Sequence, residues 1–487
     1  MTYVRTLTQR PELDRATLFV TGGFALMAAS IVVGRGVAAA AAVAALGTAL
    51  AAWHQAVLRW PALIALLISI MLFVPIGRYS IPINLPFGMD LYRLTVALVL
   101  AAWGGALLVD SRVRLRRSPF EIPLLIILCA TFGSIIVNIS RVAPLGSAVL
   151  KSITFFLSFF LVHFFFVSVV RSRRTIENIT KLLVGGASLV AVFSVYEQRT
   201  HFNIFDHVAQ VLPILQFNGA VEMDRSGLIR AMGSSSHPIE LGVLLAMAFP
   251  LGLALMFGSS RIWSIPTALV AVGAISAVSR TPILVLLTAG LVLLWLRPHD
   301  VKRLLPLAVP LLIVVKLALP GSIATLKNAF FPTGGLVQEQ AAYDRGADPL
   351  LAGGRVRQLG PMLDEASRTP LLGQGFSTRQ TGFNNPLRNA PILDNQWLGM
   401  LLEIGIVGVV GWAALFLGSA RRLAAASRRR AGPDGWLPAA LAASIVGFGI
   451  AMFTFDGFAF IQATFVFWIL ISLSASLLLT ESEEVSP

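Results

Sequence analysis

Charge is what this chain has least of. Only 13% of its residues are Asp, Glu, Lys or Arg, against 56% hydrophobic, and the mean hydropathy is +0.79. Soluble globular domains carry about 25% charged residues, so a soluble fold is excluded. Cysteine is nearly absent: Cys129 stands alone inside an apolar run, which excludes an intramolecular disulfide and a multi-cysteine metal centre. The loop histidines His201, His207 and His237 fit no ligand spacing, so no metal is expected. Alternating ten-residue strands are missing, which argues against a membrane barrel. No cleavable leader pattern precedes the first apolar run, so the N-terminus reads as a short polar lead into a membrane helix.

What is there is a succession of apolar runs, each long enough to cross about 30 Å of hydrocarbon as a helix. Lipid offers the backbone no hydrogen-bond partners, so the runs must be helical. Spans are expected over 16–33, 36–53, 58–75, 91–109, 120–139, 148–170, 175–196, 238–257, 262–278, 282–296, 303–319, 396–419, 436–455 and 457–479. The fold class is therefore all-α: a polytopic membrane protein of about 14 helices (12–14), with a large, partly helical loop outside the membrane. The chain divides into N-terminal spans over 1–196, a loop over 197–237, spans over 238–319, a large loop over 320–395, and spans with a short tail over 396–487.

Lys and Arg fall on every second link, among them Arg112/Arg114/Arg116/Arg117, Arg171/Arg173/Arg174 and Arg421/Arg422/Arg428/Arg429/Arg430. The positive-inside bias puts those links and both termini in the cytoplasm, and the 197–237 and 320–395 loops outside. The formal net charge of +14 is mostly this cytoplasmic arginine, which suits anionic lipid and calls for no nucleic-acid partner. The 320–395 loop is nearly neutral, since Arg345, Arg355, Arg379 and other bases are matched by Glu339, Asp364, Glu365, Asp394 and other acids.

Ionisable residues in or beside spans are costly and mark function. Arg93, Glu197, Glu240, Arg280, Asp394 and Asp456 all fall at the outward ends of their helices, and Glu403 lies about two turns deeper. A transporter places such groups near mid-membrane; here they gather at one face, as a site opening outward requires. Ser279-Arg280-Thr281-Pro282 interrupts a long apolar stretch, with Pro282 suited to a first helical turn. An arginine on that hairpin can clamp a diphosphate by bidentate hydrogen bonds, or can simply snorkel. Gly354-Arg355 offers a second arginine, followed by Pro370-Leu371-Leu372-Gly373-Gln374-Gly375. Asp394 opens the next helix and suits an N-cap as well as a general base. Gly405, Gly408 and Gly411 suit close helix packing, and His237 and Glu240 stand at another helix entrance.

In order and spacing, His237-Pro238, Ser279-Arg280-Thr281, Gly354-Arg355, the Pro370–Gly375 run and Asp394-Asn395 with Leu398, Leu401, Glu403, Gly405 and Gly408 resemble the bacterial O-antigen ligase and O-antigen polymerase superfamily. The resemblance covers roughly 190–415. It implies a multi-pass inner-membrane glycosyltransferase that takes glycan from an undecaprenyl-diphosphate carrier, with no cofactor and no obligatory metal. Arg280 and Arg355 match the arginines that hold the diphosphate. Asp394 stands where ligases of the family show a histidine, so a polymerase of O-antigen or exopolysaccharide repeat units is favoured over a ligase to lipid A core. The expected catalytic residues are Asp394 and Arg280; the expected substrate-binding residues are Arg355, His237, Glu403, Arg93 and Glu197. Partners implied are the lipid-linked donor, a glycan or lipid-linked acceptor, membrane lipids, and chain-length regulator or flippase proteins. A flippase that moves lipid-linked sugar without chemistry is the reading from another class, and the one-sided polar residues argue against it.

Overall fold

A computed structural model describes residues 59–82, 90–109, 113–225, 227–331, 359–379, 394–430 and 432–485. The expected spans 16–33 and 36–53, and Arg355, lie outside those residues. Every other expected span coincides with a helix. The principal helices are α1 (Trp60–Phe73), α2 (Leu91–Val109), α3 (Glu121–Val137), α4 (Ser147–Val169), α5 (Arg173–Thr200), α6 (Pro238–Gly258), α7 (Ser264–Ser276), α8 (Arg280–Leu296), α9 (Ala308–Ala318), α10 (Ser322–Phe330), α11 (Leu359–Ser367), α12 (Gln396–Arg429), α13 (Trp436–Ala451) and α14 (Ile461–Val485). Among the described residues, seven helices are long and apolar enough to cross a membrane, or up to nine if each of two bent pairs is one span. Helices α1 and α8 are apolar but shorter than that, as is the helical stretch that includes α7.

The centre of the bundle is built from α6, α13 and α14, which are apolar on all sides and mostly buried. Helix α13 packs between α6 and α8, α7 lies between α6 and α5, α12 packs on α3 and α13, and α4 packs on α14. Small residues set the closest approaches: a Cβ added at Gly242 would fall 2.2 Å from Pro282, and one at Gly273 would fall 2.7 Å from the Ala191 backbone. An aromatic cluster fills the space between α4, α12 and α14, with Phe159 stacked on Trp468 at 6.1 Å and Trp412 against Phe458 at 4.6 Å.

Two short antiparallel pairs sit at the helix ends. Tyr79–Ser80 pairs with Gln216–Phe217, and Asp224–Arg225 pairs with Leu228–Ile229. A buried polar network braces the 230–237 loop beside them. Arg78 pairs with Asp206 at 2.8 Å and also donates to the Ser235 carbonyl. Glu197 accepts the Met232 and Gly233 N–H groups at 3.1 and 2.7 Å, and Glu240 accepts the Ser236 and Gln462 N–H groups at 2.9 and 2.7 Å. Each buried carboxylate is thus met by backbone donors, the arrangement that makes its burial tolerable.

Candidate functional site

Helix α12 is broken. Gly405 has φ 65° and ψ −170°, a conformation open essentially only to glycine. The break frees carbonyls and N–H groups that an unbroken helix would pair, and the Pro370–Gly375 run supplies the missing partners. Gln374 and Gly375 N–H groups donate to the Leu402 and Glu403 carbonyls at 2.8 and 3.2 Å. Ile406 and Val407 N–H groups donate to the Pro370 and Leu371 carbonyls at 2.8 and 3.3 Å. The Ser134 hydroxyl of α3 adds a 2.6 Å bond to the Glu403 carbonyl, and Asn138 holds the Gly373 carbonyl at 3.1 Å. Backbone contact this close needs both glycines: a Cβ at Gly405 would lie 2.2 Å from the Leu371 carbonyl oxygen, and one at Gly373 would lie 2.6 Å from Leu402. Irregular backbone inside a membrane bundle survives only where protein satisfies it, commonly at a binding site.

The break leaves the Glu403 side chain facing a cavity of about 410 Å³. Glu403 accepts the Arg379 N–H at 3.4 Å. Asp456, on the link between α13 and α14, lines the same cavity, as do Asn395, Gln396, Ser152, Thr131 and a wall of Phe155, Phe156, Phe159, Trp412 and Trp468. Burial, then the charge of Asp394, pushes the Asp456 carboxyl up to about 6, against the pull of the Ala459 N–H. Arg379 also faces the cavity while its Nη1 pairs with Glu365 at 2.9 Å.

A second cluster stands on the turn between α7 and α8. Arg230 donates from Nε to the Ala277 carbonyl at 3.2 Å, Arg225 donates to the Val278 carbonyl at 3.4 Å, and Arg280 opens α8 while donating to Ala329 at 2.9 Å. Val278 itself has φ 44°, a costly conformation for a β-branched residue. Burial, then the charge of Arg225, lowers Arg230 to about 10, which still leaves it protonated at neutral pH. Next to it, His237 caps α6 by accepting the Ile239 N–H at 3.1 Å, with Pro238 in the first turn. Burial, then Arg230, holds His237 down at about 4, against the opposing pull of Asp394, so the ring is neutral.

Asp394 is not among the cavity's lining residues, but its charge acts on both His237 and Asp456. It is exposed, and it is not the helix cap that its position allows. Asn395 takes that role, its side chain accepting the Leu398 N–H at 3.1 Å. Of the expected site residues, Glu403 is in the cavity, and His237 and Arg280 belong to the basic cluster. Arg93, beside Asp90 at 3.3 Å, is not among the cavity residues, and Glu197 braces the loop that carries His237. Asp456 was legible only as a charge at a helix end. Arg225, Arg230 and Arg379 had no signal beyond their charge on loops.

Residues 265–413 match the O-antigen ligase family model. That stretch runs from α7 past the break in α12 and carries Arg280, Arg379, Asp394, Glu403 and Gly405. The match supports a membrane glycosyltransferase of the O-antigen ligase and polymerase type, with a lipid-linked glycan as the consistent substrate class. No curated protein matches the chain.

Proposed function

We propose that the protein is an extracytoplasmic glycosyltransferase of the bacterial inner membrane that elongates polysaccharide, using undecaprenyl-diphosphate-linked glycan as donor. The observation that supports this reading most is a carboxylate-lined aromatic cavity at the break in α12, in a stretch matching the O-antigen ligase family that also carries Arg280 and Asp394. A lipid diphosphate is an activated donor, so the protein has only to hold it, offset the departing charge and deliver an acceptor. Arg280, with Arg225 and Arg230 bonded to carbonyls of the turn before it, supplies positive charge suited to a diphosphate. Arg355 is assigned the same role by the resemblance. His237, neutral and beside Arg230, offers hydrogen bonding without adding charge.

In this mechanism the acceptor hydroxyl oxygen attacks the anomeric carbon as the bond from that carbon to the diphosphate oxygen breaks, with inversion. The bonding pair leaves with undecaprenyl diphosphate, and the hydroxyl proton passes to Asp394. The reading calls for no cofactor.

Reconstitution with lipid-linked repeat units alone tests it. A ladder of products is expected. Product formed only after a second acceptor such as lipid A core is added marks a ligase, and movement of the lipid across the bilayer without transfer marks a flippase. Asp394→Asn is expected to slow elongation about 100-fold or more; elongation at the wild-type rate removes Asp394 from the chemistry.

A further inference from the structure

The cavity beside the break in α12 is built for one kind of guest. Two carboxylates, Glu403 and Asp456, face it, while the guanidinium of Arg379 is already paired with Glu365. The side chain of Arg379 is only 8% exposed, and its Nε has no hydrogen-bond partner among the described residues. Phe156, Phe159, Trp412 and Trp468 present ring surface to the same space.

Each of three guests meets an obstacle here. A polyprenyl tail would strip water from both carboxylates and give nothing back. A diphosphate would meet like charge, whereas Arg280 and the arginines bonded to the turn before it attract it. A uronic acid would bring a third carboxylate. A polyol with an apolar ring face fits: hydroxyls donate to carboxylates, and the ring lies on aromatic surface. The volume, about 410 Å³, is in the range of small-ligand pockets.

We propose that this cavity is the acceptor-saccharide subsite and that it takes a pyranose bearing no carboxylate, with Asp456 and Glu403 accepting its hydroxyl hydrogens. The assignment rests on the glycosyltransferase reading above. It makes Asp456 a specificity-determining residue, and it brings the acceptor to the start of α12, where Asn395 and Gln396, the residues after Asp394, line the cavity.

Two substitutions test it in the full chain reconstituted in nanodiscs. Asp456→Asn keeps the shape and removes the charge. Gly399→Leu fills the cavity: Gly399 lines it, and a Cβ there meets only Gln396 Nε2 at 3.9 Å, so the side chain has open space to enter. The donor is the lipid-diphosphate-linked repeat extracted from producing cells. The acceptor is the same repeat on a fluorescent alkyl aglycone, which cannot serve as donor. Both variants are expected to raise the acceptor KM at least tenfold while the donor KM stays within twofold of wild type. A donor KM that rises while the acceptor KM holds overturns the assignment. So does an acceptor KM left unchanged by Gly399→Leu. An acceptor KM left unchanged or lowered by Asp456→Asn overturns it too, a fall being what relief of repulsion toward an acidic sugar would give. A wild-type protein that consumes no donor refutes instead the glycosyltransferase reading on which the subsite depends.

Discussion

Gly405→Ala tests whether the broken helix is what holds the site together. At φ 65° and ψ −170° an alanine costs about 1–3 kcal/mol in backbone strain alone. Its Cβ would also lie 2.2 Å from the Leu371 carbonyl oxygen, so either the Pro370–Gly375 run withdraws or α12 closes into a continuous helix. Both outcomes remove the bonds from Gln374 to Leu402, Gly375 to Glu403, Ile406 to Pro370 and Val407 to Leu371. Where the run withdraws and the break remains, about 1 kcal/mol per bond with strain added puts the loss on the order of 5 kcal/mol. Unfolding entropy grows with chain length, so at this size each kcal/mol corresponds to roughly 1 °C. Tryptophan fluorescence on heating the detergent-solubilised protein should therefore show a melting temperature lower by about 5 °C. Glycan transfer should fall as well, because the Glu403 side chain would no longer be presented to the cavity. Gly418→Ala is the control: Gly418 lies on the same helix, and a Cβ there meets nothing within 4 Å. A Gly405→Ala protein with the melting temperature and transfer rate of Gly418→Ala would refute this account of the break.

Three further outcomes follow from other parts of the structure. Asp456 has its carboxyl raised to about 6 from 3.8. The native state therefore binds its proton more tightly than the unfolded chain, and stability is fullest below about pH 4 and is lost as pH rises through about 6. Asp456→Asn should flatten that part of the melting-temperature profile by the equivalent of roughly 3 kcal/mol; an unchanged slope assigns the titration to another group. Arg230→Gln should raise the donor KM about tenfold or more, the value of one charge-assisted contact, and steady-state kinetics at varied donor concentration would expose an unchanged KM. Gly273→Leu should destabilise the bundle by about 1–3 kcal/mol, because its side chain would enter the α5 backbone at Ala191, and a melting temperature equal to wild type would contradict that packing.

Much of the bundle was readable before any coordinates. Lipid leaves the backbone no partner but itself, so an apolar run of sufficient length is a helix wherever it packs. The expected segment 91–109 coincides with α2, and α6 covers 238–258 against an expected 238–257. The entrance to α6 was likewise visible in His237-Pro238, because an N-cap and a first-turn proline act within one turn of the chain. Asp394-Asn395 shows where that local reading stops. Both residue types cap helices well, and only the path of the chain into α12 assigned the cap to Asn395 and left the Asp394 carboxylate exposed.

By itself the sequence determined the helical, apolar class of molecule, the positions of the long helices among the described residues, and the presence of charges near their ends, because these follow from hydropathy and from rules that act over a few residues. The break at Gly405 could not be read there: Ile404-Gly405-Ile406 continues an apolar run, and glycine is common in membrane helices. What bends the chain is the Pro370–Gly375 run about thirty residues earlier, whose carbonyls and N–H groups replace those of the helix. The meeting of Glu403 with Asp456 in one cavity, and of Arg225 and Arg230 with the turn before Arg280, are of the same kind. Tertiary structure alone decided them, because contacts between distant segments depend on which helix faces pack together, and no local pattern of residues records that.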